Sequence, residues 1–437
     1  MTGSTKTYSA EPFERRESQV RSYCRSFPTI FKTAVGATLT DSEGRRFIDF
    51  LAGAGTMNYG HNNPAIKEKV MEYLSGDGIV HALDMYTEAK HDFLETFEEV
   101  ILEPRGLDYK VAFPGPTGTN AVETALKIAR LATGRHNVIA FTNAFHGMTQ
   151  GALALTGNRK NRNGAGVALS GVTHLPFDGY LGEDQMGNKV DTAPYLDKVL
   201  SDASSGTDLP AAVIVETVQS EGGVNVADAK WLRDIAEIAR KHGALFIVDD
   251  IQTGNGRMGT FFSFEEAEVK PDMVTMSKAV GAMGLPMALV LMRPELDVLS
   301  PGQHNGTFRG HNLAFVAARA AIEMWRDPLM GDRIQANIKS VRDRLEKIVC
   351  EHPEHAAHVR GRGLMVGISW DDPSIAATVS RTAFDEGLIV ETCGANDQVL
   401  KLLPPLLLSK VELETGLDRL EAAVRKVVGQ IPQTGAA

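Results

Sequence analysis

The chain has 437 residues, 43% of them hydrophobic, with 42 glycines and a formal net charge of −10. That length exceeds one ordinary core and points to two domains, or a large domain with an appendage. Acidity spread along the chain disfavours nucleic acid or an anionic membrane as partner, and the composition excludes a disordered or fibrous protein.

Taken from the N-terminus, residues 1–10 lack the apolar stretch of a signal peptide, and no apolar run approaches membrane-spanning length. Cys24, Cys350 and Cys393 are widely spaced and form no metal-ligand or CxxC pattern, so reduced thiols and a cytoplasmic location are expected. Apolar runs at 110–113, 138–141, 172–175, 211–215, 244–248, 273–276 and 288–292 read as strands. Helical segments alternate with them, which predicts an α/β fold whose large domain holds a mostly parallel seven-stranded sheet covered on both faces. Ala121, Val122, Ala125, Leu126, Ile128, Ala129 and Ala132 mark the apolar face of one such helix. Trp231, Leu232, Ile235, Ala236 and Ala239 mark another, stopped by Gly243. Residues 157–171, rich in Gly, Asn and Arg, read as a solvated loop. After residue 312 the pattern changes to a helical stretch over 313–349 and a strand behind a glycine turn over 360–369. Ser409 and Glu412 then form a capping box, with Leu413, Leu417, Leu420, Val424 and Val427 at helical spacing behind it. The expected division is a large domain over 57–312, a smaller α+β domain over 313–437, and an N-terminal segment, 1–56, packing with the small domain. The tail over 429–437 reads as disordered.

The chemistry concentrates where strands end. The apolar run 244–248 leads into Asp249, and the run 273–276 leads through Ser277 into Lys278. Buried parallel strands deliver such side chains to the carboxyl edge of the sheet, where open α/β folds bind ligands. A lysine and a carboxylate on neighbouring strand ends are what pyridoxal 5′-phosphate requires. The amine forms a Schiff base with the aldehyde, and the carboxylate keeps the pyridine nitrogen protonated so that the ring accepts electrons. The glycine turn Pro114-Gly-Pro-Thr-Gly-Thr-Asn120 joins a strand to the helix that begins near Ala121, and free N–H groups at such a helix start suit a phosphate. A plain capped turn would read the same, so the three features count jointly.

With those motifs in place, the chain resembles the class III pyridoxal phosphate aminotransferases of fold type I over nearly its whole length. The resemblance rests on Asp41-Ser-Glu-Gly-Arg-Arg-Phe-Ile-Asp49, Tyr59-Gly-His61, Phe145-His-Gly147, Glu216-Thr-Val-Gln-Ser-Glu-Gly-Gly223, Asp249-Asp-Ile-Gln-Thr-Gly-Asn-Gly-Arg-Met-Gly259 and Ser277-Lys278. It implies that Lys278 carries the cofactor and shuttles the proton, and that Asp249 pairs with the ring nitrogen. It further implies that Gln252 bonds the ring oxygen, that Phe145 stacks on the ring, and that Gly118 and Thr119 bind the phosphate. Thr307, in Asn305-Gly-Thr-Phe-Arg-Gly310, is implied to reach the phosphate of a partner subunit, which makes a homodimer or higher homo-oligomer the functional unit. His146 and Arg257 are taken as supporting residues.

Departures from the family pattern bear on substrate. Glu221 matches an acidic residue that pairs, in relatives acting on ω-amines, with an arginine before a Pro-Pro motif; here that position is Lys401, in Leu400-Lys-Leu-Leu-Pro-Pro405. Such a pair opens for the α-carboxylate of glutamate and stays closed for the ω-amine partner, although lysine lacks the bidentate fork of arginine. Met148 stands where several relatives carry a carboxylate-binding arginine, and Arg309 could supply that charge instead. Ser26-Phe-Pro-Thr-Ile-Phe-Lys32, Ala52-Gly-Ala-Gly-Thr-Met-Asn-Tyr-Gly-His61, His81-Ala-Leu-Asp-Met-Tyr86, Ala144-Phe-His-Gly-Met-Thr149 and Gly306-Thr-Phe-Arg-Gly-His311 resemble the family members that open ectoine biosynthesis. They make Asn58, Tyr59, His81 and Tyr86 candidates for the substrate pocket. The implied reaction moves the amino group of L-glutamate to L-aspartate 4-semialdehyde, giving L-2,4-diaminobutyrate and 2-oxoglutarate. Alternatives are an ω-aminotransferase acting on ornithine, acetylornithine or 4-aminobutyrate, an aminomutase of the same fold, or a non-catalytic scaffold that intact Lys278, Asp249 and Gln252 argue against.

Overall fold

The structure, a computed structural model, describes residues 8–430, so the readings of the first seven residues and of the tail beyond 430 lie outside the described residues. A seven-stranded sheet forms the centre. Its spatial order is Lys110–Ala112, Leu289–Met292, Met273–Met276, Leu245–Asp249, Ala212–Val215, Val138–Phe141 and Val172–Leu175. Every strand lies at a place read from its apolar run. Only Leu289–Met292 runs antiparallel to its neighbours, so the sheet is mostly parallel.

The strands read as continuous apolar runs because both faces are covered. Ala212, Ile214, Leu245 and Ile247 pack with Ala121, Val122, Ala125 and Ile128 of the helix Gly118–Thr133. The alternate residues Val213, Val215, Phe246 and Val248 pack with Trp231, Leu232 and Ile235 of the helix Ala229–Lys241. Two helical layers are thus fixed by the period-two alternation of the strands.

A four-stranded antiparallel sheet follows in the order His358–Arg362, Met365–Ser369, Val399–Leu402 and Glu391–Cys393. The N-terminal strands Phe31–Val35, Thr38–Asp41 and Arg46–Asp49 form a further sheet, which Leu388–Ile389 joins in parallel. Ile48 and Phe50 share one apolar cluster with Leu413, Leu417 and Leu420 of the helix Lys410–Val428. That helix starts at the capping box of Ser409 and Glu412, and Glu412 also accepts from the Ala37 N–H at 2.8 Å. Among the described residues no helix is long and apolar enough to cross a membrane.

Three local expectations are corrected. The helical stretch over 313–349 is broken, because Asp327 caps a new helix, Pro328–Cys350, by accepting from the Leu329 N–H. The strand over 360–369 is a hairpin that turns at Gly363, whose φ of +60° suits glycine. The loop over 157–171 contains a short helix, Arg159–Asn163, capped by Asn158.

Helix Lys410–Val428 approaches the N-terminal segment so closely that a Cβ at Gly416 would lie 2.2 Å from the Phe50 ring. Gly416→Val therefore costs about 1–3 kcal/mol through overpacking, read as a lower midpoint in urea unfolding. An unchanged midpoint would contradict this close contact.

Candidate active site

At the carboxyl edge of the central sheet, successive strand ends converge on one cavity. Gly118 and Thr119 open the helix after Lys110–Ala112, Phe145 follows Val138–Phe141, and Glu216 follows Ala212–Val215. Asp249 closes Leu245–Asp249, and Lys278 follows Met273–Met276. The register Asp249↔Thr275 places Asp249 and Lys278 on adjacent strands within three residues of each other along the edge. Lys278 has a φ of +50°, a strained backbone for a residue with a Cβ.

Asp249 is 4% exposed, and both of its oxygens are held. Oδ1 accepts from Thr275 Oγ1 at 3.1 Å and from the Ile251 N–H at 3.2 Å, while Oδ2 lies 2.7 Å from His146 Nδ1. Burial works against a charged His146, but the bond to Asp249 and its charge outweigh burial and hold the imidazole above its ordinary range. The other ring nitrogen of His146 is buried with no hydrogen-bond partner. Glu216 accepts from the Phe145 N–H at 2.9 Å. Its carboxyl is pushed up to about 8 by burial, a rise that His146 resists and Asp249 reinforces. Burial also holds the Lys278 amine below the ordinary lysine range, opposed chiefly by Glu221. That favours the neutral, nucleophilic amine.

A second polar group stands beside this one. Lys401 is fully buried, with Nζ 2.6 Å from Glu221 Oε1, 3.1 Å from Glu391 Oε1 and 3.2 Å from Ser220 Oγ. Burial opposes its charge, but the two carboxylates outweigh burial and raise it well above the ordinary range. Glu221 is lowered, since Lys401 overcomes its desolvation, whereas for Glu391 burial prevails and the carboxyl is raised. Gln252 donates from Nε2 to the Ala54 carbonyl at 2.7 Å.

Of the residues selected from sequence, Gly118, Thr119, Phe145, Glu221, Asp249, Gln252 and Lys278 line the one cavity, and Lys401 sits behind Glu221. Asn58 and Tyr59 are not brought to it. Asn58 is fully buried, donating to the Asn255 carbonyl and accepting from Arg257, and the Tyr59 hydroxyl accepts from Trp325 Nε1 at 3.0 Å. Thr307 is exposed, its carbonyl 2.8 Å from His81 Nε2, and Arg309 donates to the His304 carbonyl at 2.8 Å. Tyr86 is fully exposed. Lys401, read as the partner of Glu221, is covered by the Ser220–Glu221 turn. Sequence reasoning passed over Glu391 altogether and quoted Glu216 only within a motif. Both end or follow apolar runs, the same signal that singled out Asp249.

The site fits pyridoxal 5′-phosphate. The Gly118 and Thr119 N–H groups open a 16-residue helix and have no intrahelical acceptor, as an anion site requires. A Cβ at Gly118 would lie 2.9 Å from Ile251 Cδ1, so only glycine leaves that approach open. A buried, anchored carboxylate and an amine free of salt bridges complete the set.

Residues 21–424 match the aminotransferase class-III family. The chain is 54% identical to the diaminobutyrate–2-oxoglutarate transaminase of Wolinella succinogenes, over 95% of this chain and 96% of that protein. It is also 54% identical to the enzyme of that description from Halomonas elongata, over 94% and 98%. The ornithine aminotransferase of Toxoplasma gondii, solved with pyridoxal phosphate at partial occupancy in its active site, superposes with a TM-score of 0.82 at 26% identity. That match covers 96% of this chain and 94% of that one.

The folded Glu216 carboxyl keeps its proton to about pH 8, whereas an unfolded one ionises near 4.5. Its contribution to stability is full below the unfolded value and is lost as pH rises through the folded one. Glu216→Gln, which keeps an acceptor for the Phe145 N–H, should therefore gain stability over wild type between about pH 5 and about pH 8. Urea unfolding at the two pH values checks this, and a constant difference between the proteins would contradict it.

Proposed function

The chain belongs to the class-III aminotransferases, and on that premise we propose that it moves the amino group of L-glutamate to L-aspartate 4-semialdehyde, giving L-2,4-diaminobutyrate and 2-oxoglutarate, the reaction that opens ectoine biosynthesis. The observation that carries this reading is 54% identity, over nearly the full length of both chains, to diaminobutyrate–2-oxoglutarate transaminases. When bound, pyridoxal 5′-phosphate supplies an aldehyde that takes up the amino group and a ring that holds the electrons released at the substrate carbon.

The chain's own residues do the rest. Lys278 anchors the cofactor and, once displaced, takes the proton from the glutamate Cα and returns it during transfer. Its lowered basicity keeps the neutral amine available for that role. Asp249, fixed by Thr275, Ile251 and His146, would pair with the ring nitrogen. Gly118 and Thr119 would bind the phosphate, Phe145 would stack on the ring, and Gln252 would bond its oxygen; all four line the cavity. Lys401 leaves Glu221 to receive the α-carboxylate of glutamate and returns to Glu221 for the aldehyde half-reaction. Thr307 and Arg309, exposed or half-exposed on this chain, act across a homodimer or higher homo-oligomer, and the enzyme works in the cytoplasm.

Incubating the protein with glutamate and aspartate semialdehyde should yield 2-oxoglutarate and 2,4-diaminobutyrate in equal amounts by mass spectrometry. Turnover without glutamate, as an aminomutase would give, or transfer only to ornithine-type or 4-aminobutyrate-type partners, would overturn the reading. Lys401→Gln should raise KM for glutamate roughly 10- to 100-fold, the worth of a hydrogen bond to a charged group, and KM for the aldehyde much less. Equal effects on both substrates would remove the opening pair.

A further inference from the structure

The reaction proposed above uses two partners of different shape. Glutamate presents its α-amino group to the cofactor, so only carboxylates remain to be bound by the protein. Aspartate semialdehyde and diaminobutyrate react at the far end and keep an α-ammonium that never takes part in the chemistry. A protonated amine carried into a buried pocket needs an anionic acceptor, and the opening pair does not provide one. In its closed form Glu221 is already engaged by Lys401 at 2.6 Å.

Glu391 is a further carboxylate of this group. It stands directly opposite Lys401 in the antiparallel register of Glu391–Cys393 on Val399–Leu402, so the backbone fixes its position whatever Glu221 does. Its side chain is 11% exposed. Lys401 Nζ lies 3.1 Å from Oε1 but without the alignment of a hydrogen bond, and that buried oxygen has no hydrogen-bond donor. Glu391 and Glu221 both lie on Lys401 Nζ, and Glu221 lines the cavity that holds Lys278, so Glu391 stands next to that lining. A carboxylate oxygen that meets Lys401 as an ion pair but accepts no hydrogen bond keeps acceptor capacity for a further N–H donor.

We propose that Glu391 is a specificity-determining residue that accepts the α-ammonium of the ω-substrate, aspartate semialdehyde or diaminobutyrate, while the Lys401–Glu221 pair stays closed. This inference rests on the functional reading above and adds the group that reads the substrate's unreacted end. Glutamate, whose own amine goes to the cofactor, makes no use of Glu391. An amine identical to diaminobutyrate except for hydrogen in place of the α-ammonium, 4-aminobutyrate, gains nothing from it.

The test compares these two amines as donors to 2-oxoglutarate in wild type and Glu391→Gln holoenzyme. The wild type prefers diaminobutyrate, and the variant should lose roughly 10- to 100-fold of the kcat/KM ratio between the two amines. KM for glutamate should move less than kcat/KM for diaminobutyrate does. Binding gives an independent readout. In a Lys278→Ala background, where transfer stops, diaminobutyrate should raise Tm more than 4-aminobutyrate does, and adding Glu391→Gln should erase the excess. An unchanged ratio, or a uniform loss on both amines and glutamate, overturns the inference and leaves the reaction assignment standing. A wild type inert towards diaminobutyrate overturns the reaction assignment and this inference with it.

Discussion

The site depends on holding one buried carboxylate, Asp249, in a fixed place at the sheet edge. Its oxygens are occupied by the Thr275 hydroxyl, the Ile251 N–H and the His146 imidazole. Each comes from an element whose position the central sheet dictates. Thr275 is the register partner of Asp249 on the next strand, and His146 follows the strand Val138–Phe141. Removing any one partner would leave a buried donor or acceptor unmade, so the carboxylate and its supports stand or fall together. Lys278, at the end of the strand bearing Thr275, is brought beside it by the same hydrogen-bond ladder.

A second constraint ties the central sheet to the C-terminal sheet. Lys401 belongs to the strand Val399–Leu402, while Glu221 lies in a turn that follows the central strand Ala212–Val215. Their ion pair therefore joins two separately built parts of the molecule, and Glu391 anchors the lysine from its own sheet. Breaking the pair by removing one partner leaves the buried Lys401 charge uncompensated, whereas exchanging Glu221 for a substrate carboxylate preserves the charge count. This is how a buried lysine can serve as a binding group for an acidic substrate. The arrangement also explains why the pocket carries so few free charges despite holding so many ionisable groups.

Much of this was legible in the residues. Short apolar runs bounded by breakers placed every strand of the central sheet, most clearly the inner ones, because a strand buried on both faces has no polar position to blur its signal. Asp249 and Lys278 stood out because an ionisable residue ending such a run must emerge at the sheet edge. Lys401 was harder to judge. In Leu400-Lys401-Leu402 the alternation resembles a half-solvated strand, and only the tertiary placement of the Ser220–Glu221 turn covers that face. Glu391 was missed because its significance comes from a register partner ten residues away along the chain. Asn58 and Tyr59 lie in a segment that resembles family members near their pocket, but packing against Arg257, Asn255 and Trp325 consumes their polar atoms. The break at Asp327-Pro328 was visible as an N-cap followed by proline, and it lost out to the apolar periodicity that continues on both sides.

The account turns on Lys278 being the covalent attachment point of the cofactor. Borohydride reduction of the purified holoenzyme, followed by proteolysis and peptide mass mapping, reads this directly. The account predicts a stable adduct with the mass of the reduced cofactor on the peptide containing Lys278 and on no other lysine. An adduct on a different lysine, or cofactor released intact after reduction, would contradict it.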